Sequence, residues 1–259
     1  MKKYSFSTAA LFPRTAEESL RLIRGAGFSY AELMPQCAAD SGDSVVRAAE
    51  KHAIQIASVH YPLVFFSVLY NAGEGMVPEA RAFGKKITDF CKKLGCGVLV
   101  VHPHEPVKDV TLKSRLEDPI IGNLRSLAEE CSRKGIVLAV ENSPKGPGRT
   151  PEGLLAYVKE LGEDRTCVRP MVDTTEACEA DVAPEEFIRK VNPVHMHLSD
   201  HAGEAKHLPA GEGASDWAAI GAALSGYEGF RTLEPSYRFY LDEPERQLEA
   251  AYRFASEHL

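Results

Sequence analysis

Seven apolar runs in this 259-residue chain close on an acid or an imidazole. The run "YAELMP" carries Glu32, "IQIASVHYP" His60, "GVLVVHPH" His102, "VLAVENSP" Glu141, "CVRPMVDTT" Asp173, "PVHMHLSD" His197 and "FRTLEPSY" Glu234. Carboxylates brought together at the end of buried segments repel one another and lose hydration, so a cluster of them with imidazoles calls for a divalent cation. A mixed carboxylate and imidazole shell suits Zn2+, Mn2+ or Co2+ better than Ca2+, with Mg2+ as a further option, and the lack of a thiolate at any run's end argues against a structural zinc site. Two chemistries fit such a shell. A cation that polarises a carbonyl lets neighbouring glutamates move a proton beside it, and a cation that generates hydroxide hydrolyses a phosphodiester.

These residues act together only if the ends of the runs share one rim. The runs are short, rich in β-branched residues and closed by turn signals, as strands buried on both faces are. With "YSFST" at the start they number eight, and segments of helical period separate them. Thr15 with Glu18 forms a capping box, Thr150 precedes Pro151 at a first helical position, and Asp242 with Glu245 opens a last helix. Gly25 and Gly27, Gly95, and Gly135 stand where the intervening helices end. Eight β/α units of this size predict a (β/α)8 TIM barrel, whose strand C-termini form the rim of a single pocket. A doubly wound open sheet is the alternative, but it has fewer strands and a Gly-rich turn after its first strand, which "FSTAALFPR" lacks.

Composition agrees with one α/β domain over residues 1–259. The hydrophobic content is 44%, and no low-complexity tract or Pro/Gly/Ser-rich linker divides the chain. The first residues, "MKKYSFSTAALFPRTAEES", lack a sustained apolar segment, no later stretch approaches a membrane span, and a cytoplasmic location is expected. The six cysteines form no Cys-x-x-Cys pair and read as reduced thiols, most of them buried. A net charge of −7 argues against broad attraction to nucleic acid.

Each residue also has a plainer structural role to weigh. Asp173 could cap a turn, and Glu234 has Arg231 and Arg238 nearby to pair it, whereas Glu141 has no basic neighbour in sequence. His197 could be a satisfied core histidine; His195, two residues earlier on the same strand face, is divided between core and site. His60 and His102 fit metal binding and substrate orientation equally, and His104 and Glu105 read as surface residues. Lys145 and Arg149 in "SPKGPGRT" are candidates for receiving a phosphate or carboxylate, against the reading of a solvated basic loop, and the backbone of "GEG" at 211–213 is a second anion candidate.

The ordered set "SVHYP", "VVHPH", "AVENSP", "MVDTT", "HMHLSD", "HLPAGEG" and "TLEP" resembles the xylose isomerase-like TIM barrels, a superfamily of sugar isomerases and epimerases, inosose-processing enzymes and endonuclease IV. The resemblance implies a metal held by Glu141, Asp173, His197 and Glu234, with Glu141 and Glu234 also serving as the acid/base pair. It assigns His60, His102, Glu176 and His207 to substrate hydroxyls or a second metal. The departures are specific: "DTTE" puts Glu176 where endonuclease IV and many isomerases have histidine, and Ala205-Lys206-His207 replaces Asp-x-His. The loops after "SVHYP" and "AELMP" carry no arginine for insertion into DNA. The expected activity is a metal-dependent sugar or sugar phosphate isomerase or epimerase working by enediolate proton transfer, on a small sugar-like substrate with neither nucleic acid nor membrane as partner. An endonuclease IV-like phosphodiester hydrolase and a non-catalytic sugar- or partner-binding barrel are the alternatives.

Overall fold

The structure, a computed structural model, describes residues 2–162 and 167–259. The barrel strands are β1 (Lys3–Ser7), β2 (Tyr30–Leu33), β3 (Gln55–His60), β4 (Val98–Val101), β5 (Val137–Val140), β6 (Val168–Pro170), β7 (Val172–Asp173) and β8 (Met196–Leu198). A hairpin of β9 (Asp200–Ala202) and β10 (Ala205–Leu208) precedes the last barrel strand, β11 (Phe230–Leu233). The helices are α1 (Ala16–Gly25), α2 (Asp43–Lys51), α3 (Phe66–Leu69), α4 (Val77–Lys93), α5 (Lys113–Arg133), α6 (Pro151–Gly162), α7 (Thr174–Glu179), α8 (Pro184–Val191), α9 (Trp217–Ala223) and α10 (Pro244–His258). The large sheet is parallel throughout and runs β6-β5-β4-β3-β2-β1-β11-β8-β7. Because β6 and β7 are consecutive in the chain and flank Met171, the order returns on itself: this is a TIM barrel in a single domain, as the alternation of runs predicts.

The sixth run differs from expectation in being two strands. Pro170 has no N–H to donate, and at Met171 the ladder changes sides: Met171 N–H donates to Val140 (2.8 Å) on the β5 side, and Val172 N–H donates to His195 (3.3 Å) on the β8 side. The seventh run likewise ends early, at Leu198, and turns into the unforeseen hairpin. Of the helix starts, Thr15 does cap α1, accepting from Glu18 N–H at 3.3 Å, and Thr150 accepts from Gly153 N–H at 3.1 Å. The last helix departs: α10 starts at Pro244 behind Glu243, whose side chain makes no cap bond, so Asp242 and Glu245 form no capping box. Gly95 and Gly135 close α4 and α5 at φ of 66° and 63°, a conformation that favours glycine. Among the described residues no helix is long and apolar enough to cross a membrane.

Strand alternation explains why polar residues accumulate inside. Phe6, Val59, Leu138, Met196 and Leu233 belong to the main core under the helices. Their neighbours on each strand point into the barrel, where Val100, Ala139 and Met171 pack as a small apolar cluster. Each of these stands two residues ahead of a residue singled out by sequence: Val100 before His102, Ala139 before Glu141, Met171 before Asp173. The next layer toward the strand C-termini is polar and fully buried, comprising Ser5, Ser7, Glu32, Ser58, His195, His197 and Thr232.

Asn142 completes the barrel beside this layer. Its Nδ2 donates to Asp173 O (3.1 Å) and its Oδ1 accepts from Asp173 N–H (2.6 Å), replacing with a side chain the backbone pairing that β5 and β7 lack. Asn142→Ala strands a buried donor and acceptor on Asp173, so it should lower unfolding free energy by about 1–3 kcal/mol. Urea titration checks this; an unchanged midpoint at unchanged m would contradict it.

Candidate active site

His197 is the hub. Its Nδ1 lies 2.8 Å from Glu141 Oε1 and 2.6 Å from Glu234 Oε2, and its Nε2 lies 3.0 Å from Glu32 Oε2. Burial opposes a charge on this imidazole, but the Glu234, Glu32 and Glu141 carboxylates outweigh it and hold the group well above the ordinary histidine range. Glu141 is pushed up by burial and pulled further down by His197 and His102, which leaves it well below the usual carboxylate range. Its Oε2 is 2.9 Å from His102 Nε2 and 3.7 Å from His60 Nε2, contacts that lack the alignment of a hydrogen bond. The two Nε2 atoms of His60 and His102 are 3.1 Å apart, while His60 Nδ1 donates to the Tyr61 carbonyl at 2.8 Å. Glu234 is anchored on its other oxygen by Ser7 Oγ at 3.0 Å.

Asp173 sits at the start of α7 and does cap it, accepting from Glu176 N–H at 2.8 Å. The capping role and a place in the site coexist, because its second oxygen, Oδ2, is buried with no partner. Burial pushes this carboxyl up to about 8, with His207 offsetting and Glu141 and Glu176 adding to the rise. Glu141, Asp173, His197 and Glu234 each bring one ligand atom to within 4.8 Å of the others. Two orphaned carboxylate oxygens, and one imidazole nitrogen pressed by two carboxylates with a single proton to give, are relieved together by a cation. The residues present therefore fit a divalent metal ion.

Three other groups have comparable spacing. His60, His102 and Glu141 form one, sharing Glu141 with the first. Glu176, Glu179 and His207 form another, but Glu179 is already ion-paired with Lys206. Glu32, His195 and His197 form the third, and this is a hydrogen-bonded core: Ser58 Oγ donates to Glu32 Oε2 (2.6 Å), Ser7 Oγ shares its one proton between Glu234 (3.0 Å) and Glu32 Oε1 (3.3 Å), and His195 Nε2 approaches Oε2 at 3.0 Å. Burial lowers His195 against the pull of Glu32, so it is a neutral core histidine that holds Glu32, which decides between the two readings of that residue. Glu32 closes a strand as predicted, but its tie to His197 is invisible in sequence because 165 residues separate the pair.

Six residues named from sequence, His60, His102, Glu141, Glu176, His207 and Glu234, line one cavity of about 440 Å3. His207 is brought there by the hairpin: Ser236 N–H donates to its carbonyl at 2.7 Å, and Glu176 Oε1 lies 3.6 Å from its Nε2. Burial opposes its charge, yet Glu176, Asp173 and Glu234 raise it to about 9. Lys145 and Arg149 are not in the lining; Arg149 lies 3.9 Å from Asp181 on the surface. The "GEG" backbone is engaged as well, since Gly211 N–H donates to Asp200 Oδ2 (3.0 Å), which also accepts from Trp217 Nε1 (2.8 Å). Arg231 does not pair with Glu234: it is buried, with Nη2 on the carbonyls of Leu224 and Tyr227. His104 departs from the surface expectation too, being buried with Nδ1 2.7 Å from Tyr157 OH. Sequence reasoning missed the remaining lining of the cavity, which is Ala9, Phe12, Met34, Leu63, Pro235 and Tyr237 with the uncharged polar residues Gln36 and Ser236.

The chain belongs to the xylose isomerase-like TIM barrel family, which matches residues 20–258. No curated protein matches it by sequence. Among solved structures it is similar to D-psicose 3-epimerase from Clostridium cellulolyticum H10, crystallised with D-tagatose, at TM-score 0.76 and 16% identity over 99% of each chain. It is also similar to 3-keto-D-glucoside 4-epimerase from E. coli, at TM-score 0.78 and 16% identity over 99% of this chain and 100% of that one. A third is AP endonuclease, family 2, from Brucella melitensis, at TM-score 0.77 and 21% identity over 100% of each. At such identities these likenesses speak to the fold.

A metal ion has to displace protons from this cluster. With Asp173 raised to about 8 in the metal-free protein, its proton competes with the ion below that value. Affinity for Mn2+ should therefore rise between pH 6 and 8, by about tenfold per pH unit for one displaced proton, and titration in weak buffer should register proton release. An affinity flat over that range would contradict the raised carboxyl.

Proposed function

We propose that the chain is a metal-dependent sugar isomerase or epimerase that moves a proton beside a carbonyl. The observation that carries this reading is the placement of Glu141 and Glu234, which both touch His197 Nδ1 and both line the cavity. Three carboxylates and one imidazole suit Mn2+ ahead of Zn2+, with Co2+ and Mg2+ also compatible. A divalent cation held by Glu141, Asp173, His197 and Glu234 supplies Lewis acidity to the substrate carbonyl.

The chain's own residues then do the rest. Glu234, with one oxygen oriented by Ser7, takes the proton from the carbon next to the carbonyl and leaves an enediolate. Glu141, having drawn a proton from solvent, delivers it from the other side and gives inversion at that carbon, with Glu234 then releasing its proton to solvent; or Glu234 returns its proton to the neighbouring carbon while the hydroxyl proton passes to the former carbonyl oxygen, giving aldose–ketose exchange. His60, His102, Glu176 and His207 line the same space and orient hydroxyls. The names of the epimerase neighbours support this reading, and the family has room for it.

The hydrolase reading draws on the His60, His102 and Glu141 group and on the endonuclease neighbour. It is the weaker, because Glu176 adds a carboxylate where a phosphodiester would need positive charge, and Arg149 and Lys145 lie outside the cavity.

With a correct acyclic ketose or aldose in heavy water, the Mn2+-loaded protein should place deuterium on the carbon beside the carbonyl. Glu234→Gln should slow this by about 10²–10⁴-fold while metal content stays near one per chain, since the amide oxygen still faces the ion. Exchange at full rate in that variant, or none with any sugar in the parent protein, would overturn the assignment.

A further inference from the structure

The cavity has two chemically different halves. One half is the cluster of acids and imidazoles just described. The other is mainly apolar, with only Gln36 and Ser236 polar, and three of its side chains are open to solvent: Phe12 is 44% exposed, Leu63 45% and Tyr237 43%. Large apolar groups left open around a pocket mark a surface that a ligand covers. The rings of Phe12 and Tyr237 meet edge to face, with centroids 5.4 Å apart at 78°. Their backbone is held in place. Arg14 donates from Nη1 to the Tyr240 carbonyl (3.0 Å) and from Nη2 to the Leu241 carbonyl (2.8 Å), and Thr8 Oγ1 accepts from Met34 N–H (2.9 Å). The wall is thus formed before any ligand arrives, and covering it costs little ordering entropy.

Charge narrows the ligand further. Among the described residues no lysine or arginine lines the cavity, whereas Glu141, Glu176 and Glu234 do. Of the imidazoles in the lining, His207 has Glu176 Oε1 3.6 Å from its Nε2, and His60 and His102 have Glu141 Oε2 at 3.7 and 2.9 Å. The guanidinium of Arg14 is engaged by two carbonyls, and Arg238, next to Tyr237 in the chain, is exposed and is not among the lining residues. A phosphate dianion seated here would find no lysine or arginine in the lining, and the cation held by Glu141, Asp173, His197 and Glu234 is outweighed by the three carboxylates that bind it.

We propose that the substrate is an uncharged sugar carbonyl compound bearing an apolar group remote from the reacting carbons, such as a keto-glycoside with an aryl aglycone, and that Phe12, Leu63 and Tyr237 receive that group. The sugar end rests on the isomerase reading above; the apolar end stands on the wall itself. The cavity, at about 440 Å3, falls in the range that buries a ligand larger than a single small sugar.

Calorimetric titration of the intact Mn2+-loaded protein with phenyl β-D-glucoside, methyl β-D-glucoside and glucose 6-phosphate tests this without requiring turnover. The phenyl glucoside should bind at least about tenfold more tightly than the methyl glucoside. Tyr237→Ala and Phe12→Ala should each remove most of that preference; Leu63→Ala serves the same purpose should either variant fold poorly. The 6-phosphate should bind more weakly than the phenyl glucoside. A 6-phosphate that binds more tightly, a preference that survives the ring deletions, or a Tyr237→Ala variant whose only change is a smaller oligomer would each overturn the proposal. A phenyl preference in a protein that exchanges no α-hydrogen would leave this proposal standing and sink the isomerase reading alone; exchange on free sugars without the preference would do the reverse.

Discussion

A single buried imidazole organises this molecule. His197 is fully enclosed, with Glu32 beneath it and Glu141 and Glu234 beside it toward the cavity. A carboxylate as buried as Glu32 is tolerable only when its lone pairs are met, and Ser7, Ser58, His195 and His197 meet them. The same contact orients His197, because an imidazole whose Nε2 faces Glu32 directs Nδ1 at Glu141 and Glu234. Carboxylate to histidine to metal is a common arrangement for fixing a ligand's tautomer and basicity. Here the polar layer of the barrel and the candidate metal centre are one continuous network. The apolar layer of Val100, Ala139 and Met171 seals it from the opposite end.

This arrangement follows from strand periodicity. Residues two apart on a strand share a face, so an apolar residue inside the barrel and a polar one at its rim come as a pair on β4, β5 and the β6 to β7 run. That is why the strand ends were readable as a site: Asp173 and His197 are register partners, and Glu141 and Glu234 close β5 and β11 toward the same cavity. The eight-fold β/α alternation was readable for the same reason, since it depends on local period and caps.

What escaped sequence reading is long-range or depends on exact backbone turns. The split of the sixth run at Met171 arises from hydrogen bonding to two different neighbours, and no local pattern encodes that choice. The "GEG" loop reads as an anion nest, yet its Gly211 N–H goes to Asp200 and its Glu212 N–H to the Pro209 carbonyl, and Asp200 also takes Ser215 N–H, holding the segment after the hairpin. Arg231 seemed a partner for Glu234, but alternation on β11 sends it to the opposite face from Thr232, under the helices. His104 is drawn into the interior by Tyr157, 53 residues away. The apolar wall is assembled from segments after β1, β2, β3 and β11, each too short to signal a pocket alone.

The central claim is that the network around His197 is completed by one divalent cation. It is tested most directly by a crystal structure of the Mn2+-loaded protein with anomalous data collected at the manganese edge. The account predicts one strong peak per chain within about 2.0–2.3 Å of His197 Nδ1 and of one oxygen each from Glu141, Asp173 and Glu234. No peak there, with the four side chains still in mutual contact and Asp173 Oδ2 still without a partner, would contradict it.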